Sequence, residues 1–236
     1  AQRALLDREA RRQTIFAAQA KIAEDLPYLF VAHPKRPVAF RADLFDPETV
    51  VEMAGIGIQN FWTWLQVEPI RDERSIIANT DNVIQAINPL YISGEADSRV
   101  TELIWDRLLR VSSEGLPEPW VATGVNWHND RHVRVTIRDD VKWHDGQPLT
   151  VEDVRFSYFA AGSGEAPMYK PFVDKIDTIL VVDGKTVDFH LTEPWVAFEV
   201  AGLAKVNLIP KHIWQPILDR LHQEPDNAES YQEDVP

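Results

Sequence analysis

The chain has 236 residues, 44% hydrophobic and 26% charged, and 37 acidic against 24 basic side chains give a formal net charge of -13. That acidity repels nucleic acid and anionic membrane surfaces, and no apolar run approaches the roughly 20 residues of a membrane span. With no cysteine there is no disulfide, no thiolate nucleophile and no cysteine-ligated zinc or iron–sulfur centre. The length suits one large or two small domains with a buried core. The opening "AQRALLDREARRQTIF" has no initiator methionine, apolar leader core or lipoprotein cysteine. Either a leader has been removed or the chain is a piece of something longer.

Over residues 7–25, Ile15, Ala18 and Ile22 share one face at helical spacing, with Arg11, Arg12, Lys21 and Glu24 on the wet side, and Pro27 ends the pattern. "YLFVAH" reads as a buried strand, "PKRP" breaks it, and residues 38–41 read as a second strand. In "GIGIQNFWTW", Trp62 and Trp64 would share a face if the segment is extended. The charged stretch at 67–75 is a surface connection and the natural boundary between two parts.

The second part opens with a strand, "SIIANT", and a proline-containing loop, "INPLYISGEADS". Val100, Leu103, Ile104, Leu108 and Val111 then mark a helix capped by Asp97 or Ser98. Val133, Val135 and Ile137 alternate with polar residues, the pattern of a half-buried strand. In "VKWHDGQPLTVEDVRFSY", Trp143 packs, Asp145 and Gly146 suit a turn with a positive backbone angle, and Thr150 with Asp153 is a capping signature opening a helix through Tyr158. "TILVVDGKTVDFHL" is a hairpin turning at Asp183 and Gly184, and the polar tail at 222–236 reads as loose.

Candidate chemistry is sparse. His144 and Asp145, with Glu152, would serve a hydrolase only if they met in one pocket, yet neighbours on a strand point to opposite faces. His128 and His132 have the spacing of two ligands on one helix face, but they flank "NDR", a turn-like stretch beside a strand. They read as solvated imidazoles, and the residues call for no metal and no cofactor. Of the eight tryptophans, Trp105, Trp120 and Trp214 suit packing, whereas Trp62 and Trp64, in a glycine-containing loop, suit a ligand-stacking wall.

The order of the segments carries more than any one of them. "INPLY", "DSRVTELIWDRLLRVSSEGLPEPWVATGVNW", "VRVTIRDDVKWHDGQPLTVEDVRFSY", "VVDGKTVDFHLTEPWVAF" and "LIPKHIW" resemble, in that order, the N-terminal part of the family 5 extracellular solute-binding proteins, the peptide and nickel receptors of ABC importers. "RRQTIFAAQAKIAEDLPYLFVAHPKRPVAFRADLF" and "GIGIQNFWTW" resemble the other end of the same family. The C-terminal signature therefore precedes the N-terminal one, as in a piece of two receptors in tandem, a circular permutation or an excised domain.

The resemblance implies a mixed α+β fold: lobe I of a periplasmic-binding-protein-like receptor, with residues 1–70 a C-terminal segment, 71–236 an N-terminal segment, a smaller α+β subdomain at 111–203, and the second lobe missing. It implies capture rather than catalysis: two lobes close on a peptide, an oligosaccharide, a metal complex or another small solute and then dock on an ABC permease. A lone lobe should bind weakly. By position the loop of Tyr91, Ile92, Ser93, Gly94 and Glu95 would line the ligand cleft, with Ser93 where an acidic residue would suit a peptide amine. The location implied is periplasmic or extracellular, membrane-tethered in the full-length protein, with no insertion of this chain. A lone lobe kept only for docking on a permease or sensor is the remaining rival.

Overall fold

The computed structural model describes residues 5, 7–27, 31–32, 37–72, 75–79, 83–84, 87–92, 94–163, 166 and 168–223. Helix α1 spans Arg8–Asp25, and its N-cap Asp7 accepts a hydrogen bond from the Ala10 N–H. Leu26 closes it in the left-handed region (φ 42°), returning its N–H to the Ile22 carbonyl just before Pro27. The expected apolar face of Ile15, Ala18 and Ile22 is present but exposed, with Ile15 at 37% and Ile22 at 49%, and the adjacent Phe16 is 52% exposed. The helix thus rests on its cap and on ion pairs such as Lys21–Asp25 rather than on burial.

The strands expected at 38–41 and 75–80 are not formed among the described residues. Residues 28–30 and 33 of "YLFVAH", Thr80 and the tail from 224 onward lie outside them, while Val31 is 84% and Ile77 95% exposed. β-Branched residues favour a strand only where a partner supplies the ladder and the packing. Between these stretches a short 3-10 turn at Pro47–Thr49 leads to helix α2, Phe61–Gln66, whose N-cap Asn60 accepts from the Thr63 N–H.

Helix α3 spans Glu95–Ile104 with Gly94 as its N-cap, so it starts before the expected Asp97 or Ser98. It also ends early. The Arg110 guanidinium takes up the carbonyls of Glu102 (2.9 Å) and Trp105 (3.3 Å) at its C-terminal end, satisfying acceptors that another turn would otherwise use. Leu108 and Val111 therefore lie beyond the helix, and β1 (Leu109–Val111) pairs with β2 (Pro117–Pro119).

The remainder is an antiparallel sheet of order β3-β4-β6-β5, built from Ala122–Asn129, His132–Ile137, Thr186–Leu191 and Ile176–Asp183 respectively. Val133, Val135 and Ile137 of β4 and Val187, Phe189 and Leu191 of β6 line its buried face. Helix α4 (Val151–Gly162) packs against β5 and β6, and α6 (Lys211–Gln223) packs against α4. The short α5 (Lys170–Val173) and a π-turn at Glu199–Leu203 complete the wall.

The corner before α4 forms as its residues dictate. Gly146 has φ 87°, Asp145 accepts from the Gln147 N–H, and Thr150 and Asp153 make a reciprocal capping box. Trp143 is half-buried against the core, as are Trp105 and Trp120, and Trp214 is fully buried. No described helix is long and apolar enough to cross a membrane.

Candidate functional site

A cavity of about 390 Å³ opens where α2, α3 and β1 meet. Two of the expected contact residues, Trp62 and Glu95, line it together. Trp62 is fixed by its indole N–H, which donates to the Val111 carbonyl at 2.7 Å. Phe61, Trp62 and Trp120 pack edge to face around it, with ring centroids 5.3–6.1 Å apart. An aromatic wall of this kind suits a ligand with an apolar or planar body.

Cationic side chains line the same cavity. Arg99, Arg107, Arg110 and Lys205 face Glu95 and Glu102 around the same cavity. Arg110 stacks on the Phe61 ring, its guanidinium carbon 3.9 Å from the centroid. Its Nε and Nη1 are buried without a hydrogen-bond partner among the described residues. Burial, then the charge of Arg107, lowers its pKa to about 10, so it stays cationic at neutral pH. Lys205 is likewise lowered, first by burial and then by Arg107. Arg99 is held by Gln59 (2.8 Å) and Glu95 (2.6 Å), and Arg107 by Asn207 (3.0 Å). Concentrated guanidinium groups beside aromatic rings can take a carboxylate or another small anion.

The other expected contacts divide. Ser93 lies outside the described residues. Gly94 caps α3, Ile92 is buried in the core, and the half-buried Tyr91 turns back on Asn88 through its backbone N–H. Trp64 lines a different cavity, with Phe45, Ile76 and Ile77. The shared face expected for Trp62 and Trp64 required an extended chain; on α2 two residues apart means roughly 200° of rotation, so they diverge. The cationic group escaped sequence reading because its members come from α3, the link after it, β1 and a turn near 205, with no common spacing.

The proposed hydrolytic group does not assemble. Asp145 pairs with His212 (2.7 Å), and Glu152 pairs with Arg155 and Lys211. Neither carboxylate bonds to the exposed His144. The Gln147 backbone N–H, then His212, holds the Asp145 carboxyl below its ordinary range. By contrast His128 and His132 do meet, with ring centroids 4.6 Å apart. They do so across the β3–β4 hairpin rather than along a helix.

Sequence comparison agrees with this architecture. A profile of the bacterial extracellular solute-binding proteins, family 5, middle region, matches residues 117–235. YejA of Agrobacterium fabrum (strain C58), named a probable peptide-binding protein, is 26% identical over 140 residues, 58% of this chain and 22% of the relative. The periplasmic oligopeptide-binding protein OppA of Salmonella typhimurium is 31% identical over 91 residues, 38% of this chain and 16% of the relative. Among solved structures, NikZ from Campylobacter jejuni in complex with Ni(L-His) superposes with a TM-score of 0.51 at 27% identity, covering 57% of this chain and 27% of that one. The matched stretch thus spans less than a third of the length of each of these proteins. Family members are solute-binding proteins of the periplasm or cell exterior rather than enzymes. With half of its length matched by the family profile, the chain belongs to the family 5 bacterial extracellular solute-binding proteins.

Proposed function

We propose that this chain is a ligand-binding lobe of the solute-binding component of an ABC importer, which captures a peptide or similar small solute between two lobes and delivers it to a permease. The family match over residues 117–235 carries this reading. The cavity beside Trp62 and Arg110 supports it and narrows the solute. Aromatic rings lining one cavity with four cationic side chains and two carboxylates favour a solute that carries a carboxylate, as a peptide does at its C-terminus. YejA and OppA are named for peptide binding and NikZ is described with Ni(L-His); a carboxylate is common to those ligands.

The same reading assigns residues 1–70 to the C-terminal segment of a receptor and 71–236 to its N-terminal segment, both contributing to one lobe. The Trp62 hydrogen bond to Val111 and the Phe61–Trp120 contact support it, because they join the two segments at the cavity wall. A periplasmic or extracellular location, tethered to the membrane in the full-length protein, belongs to the same proposal. Affinity in such a receptor comes from enclosing and desolvating the solute between lobes, so one wall alone binds weakly.

Isothermal titration of the protein carrying both lobes, against peptides, oligosaccharides and metal–amino-acid complexes, is the test. The expected result is stoichiometric binding without turnover, weakened when Trp62 becomes Ala or Arg99 becomes Gln. Turnover of any solute, or binding indifferent to both substitutions, overturns the reading.

A further inference from the structure

On the sheet face opposite the core, three imidazoles stand side by side across three strands. His132 of β4 pairs in register with His190 of β6, their rings stacking at 4.4 Å, and His128 of β3 lies 4.6 Å from His132 on the neighbouring strand. A bulge between Trp127 and Asn129 sets His128 beside His132 while Trp127 turns inward against Phe198. Asp188, two residues before His190 on β6, brings its carboxylate to the same place, with Oδ2 at 3.1 Å from His132 Nε2.

We propose that His128, His132 and Asp188 bind one divalent first-row transition-metal ion. One donor atom from each lies within 4.8 Å of the other two. A tetrahedral ion with bonds of about 2.0–2.2 Å holds its ligands roughly 3.3–3.6 Å apart, so modest side-chain rotation closes the group. His132 Nε2 is shielded from solvent and, although near Asp188, lies outside hydrogen-bond geometry. An ion between this nitrogen and Asp188 would replace that contact with two metal–ligand bonds.

Arg134 supplies the orienting contact that ligating carboxylates usually have. Its Nε donates to Asp188 Oδ1 at 2.7 Å and its Nη2 to Oδ2 at 2.8 Å. Coordination through Oδ2 exchanges the second of these bonds for the metal and leaves the first in place. His128 is exposed and gives the ion an entry path. Two imidazoles and one carboxylate suit Zn²⁺, Ni²⁺ or Cu²⁺ rather than Ca²⁺ or Mg²⁺, which favour all-oxygen shells. The site shares no residue with the cavity beside Arg110, so it stands or falls independently of the solute-binding proposal.

Calorimetric titration of the whole chain with ZnCl₂ in a non-chelating buffer tests the assignment. One ion per chain is expected, with affinity falling about tenfold or more in His128→Asn and in His132→Asn and unchanged in His144→Asn. A second measurement needs no variant: substoichiometric Cu²⁺ should broaden the imidazole proton resonances of His128 and His132, with neighbouring His190, before those of His144 and His212. Absence of stoichiometric zinc binding, binding that survives both ligand substitutions, or copper broadening centred on His144 or His212 overturns the proposal.

Discussion

The two parts of this chain have similar apolar vocabulary and opposite outcomes. Every buried hydrophobic side chain among the described residues lies at Leu90 or beyond. Before that point the buried described residues are Asn60, Thr63, Asn88 and Pro89, none of them with a large apolar side chain. Helix α1 presents Ile15, Ala18 and Ile22 at helical spacing yet leaves them exposed, whereas β4 presents Val133, Val135 and Ile137 at strand spacing and buries all three. A periodic apolar pattern therefore predicts that an element forms more reliably than that it is covered. Coverage needs a second surface, which β6, α4 and α6 supply to one part of the chain.

The same substitution made in each part is the sharpest probe of this difference. Phe189 is fully buried between Tyr158 and Phe198, so Phe189→Ala should lower the unfolding free energy by about 3–5 kcal/mol, read from urea denaturation. A loss below about 1 kcal/mol would mean that the sheet core is far looser than its packing shows. Close approach rather than lost volume is at issue at Gly202, where an added Cβ would run into the ring of the fully buried Phe198. Gly202→Ala is expected to cost about 1–3 kcal/mol in the same assay. Loss of the reciprocal cap in Thr150→Ala should cost about 1 kcal/mol, and Thr150→Ser should restore most of it. The smallest effect is reserved for α1: Phe16→Ala, at a side chain 52% exposed, should change the melting transition by no more than about 0.5 kcal/mol. A larger loss there would show that α1 is covered in solution and would break the comparison.

Local grammar made much of the second part legible. Asp-Gly at 145–146, the Thr150–Asp153 box and the turn after Asp183 each satisfy backbone groups within a few residues, so sequence alone placed a corner, a helix start and a hairpin where they occur. The order of such segments also carried the family. The expected ligand contacts fared less evenly. Trp62 and Glu95 line the cationic cavity, but Trp64 turns to another wall because the segment is helical, and Ile92 is spent on the core.

What the sequence determined by itself was short-range: caps, turns, the alternation of β4 and the exclusion of cysteine chemistry. Tertiary structure alone decided which residues meet across long separations. It ended α3 early by lending Arg110 to its last carbonyls, gathered Arg99, Arg107 and Lys205 around one cavity, and set His128, His132 and Asp188 side by side. The reason is that backbone capping is settled within one turn of chain, whereas a binding wall depends on strand register and helix placement. Those depend on which surfaces find a partner to bury them.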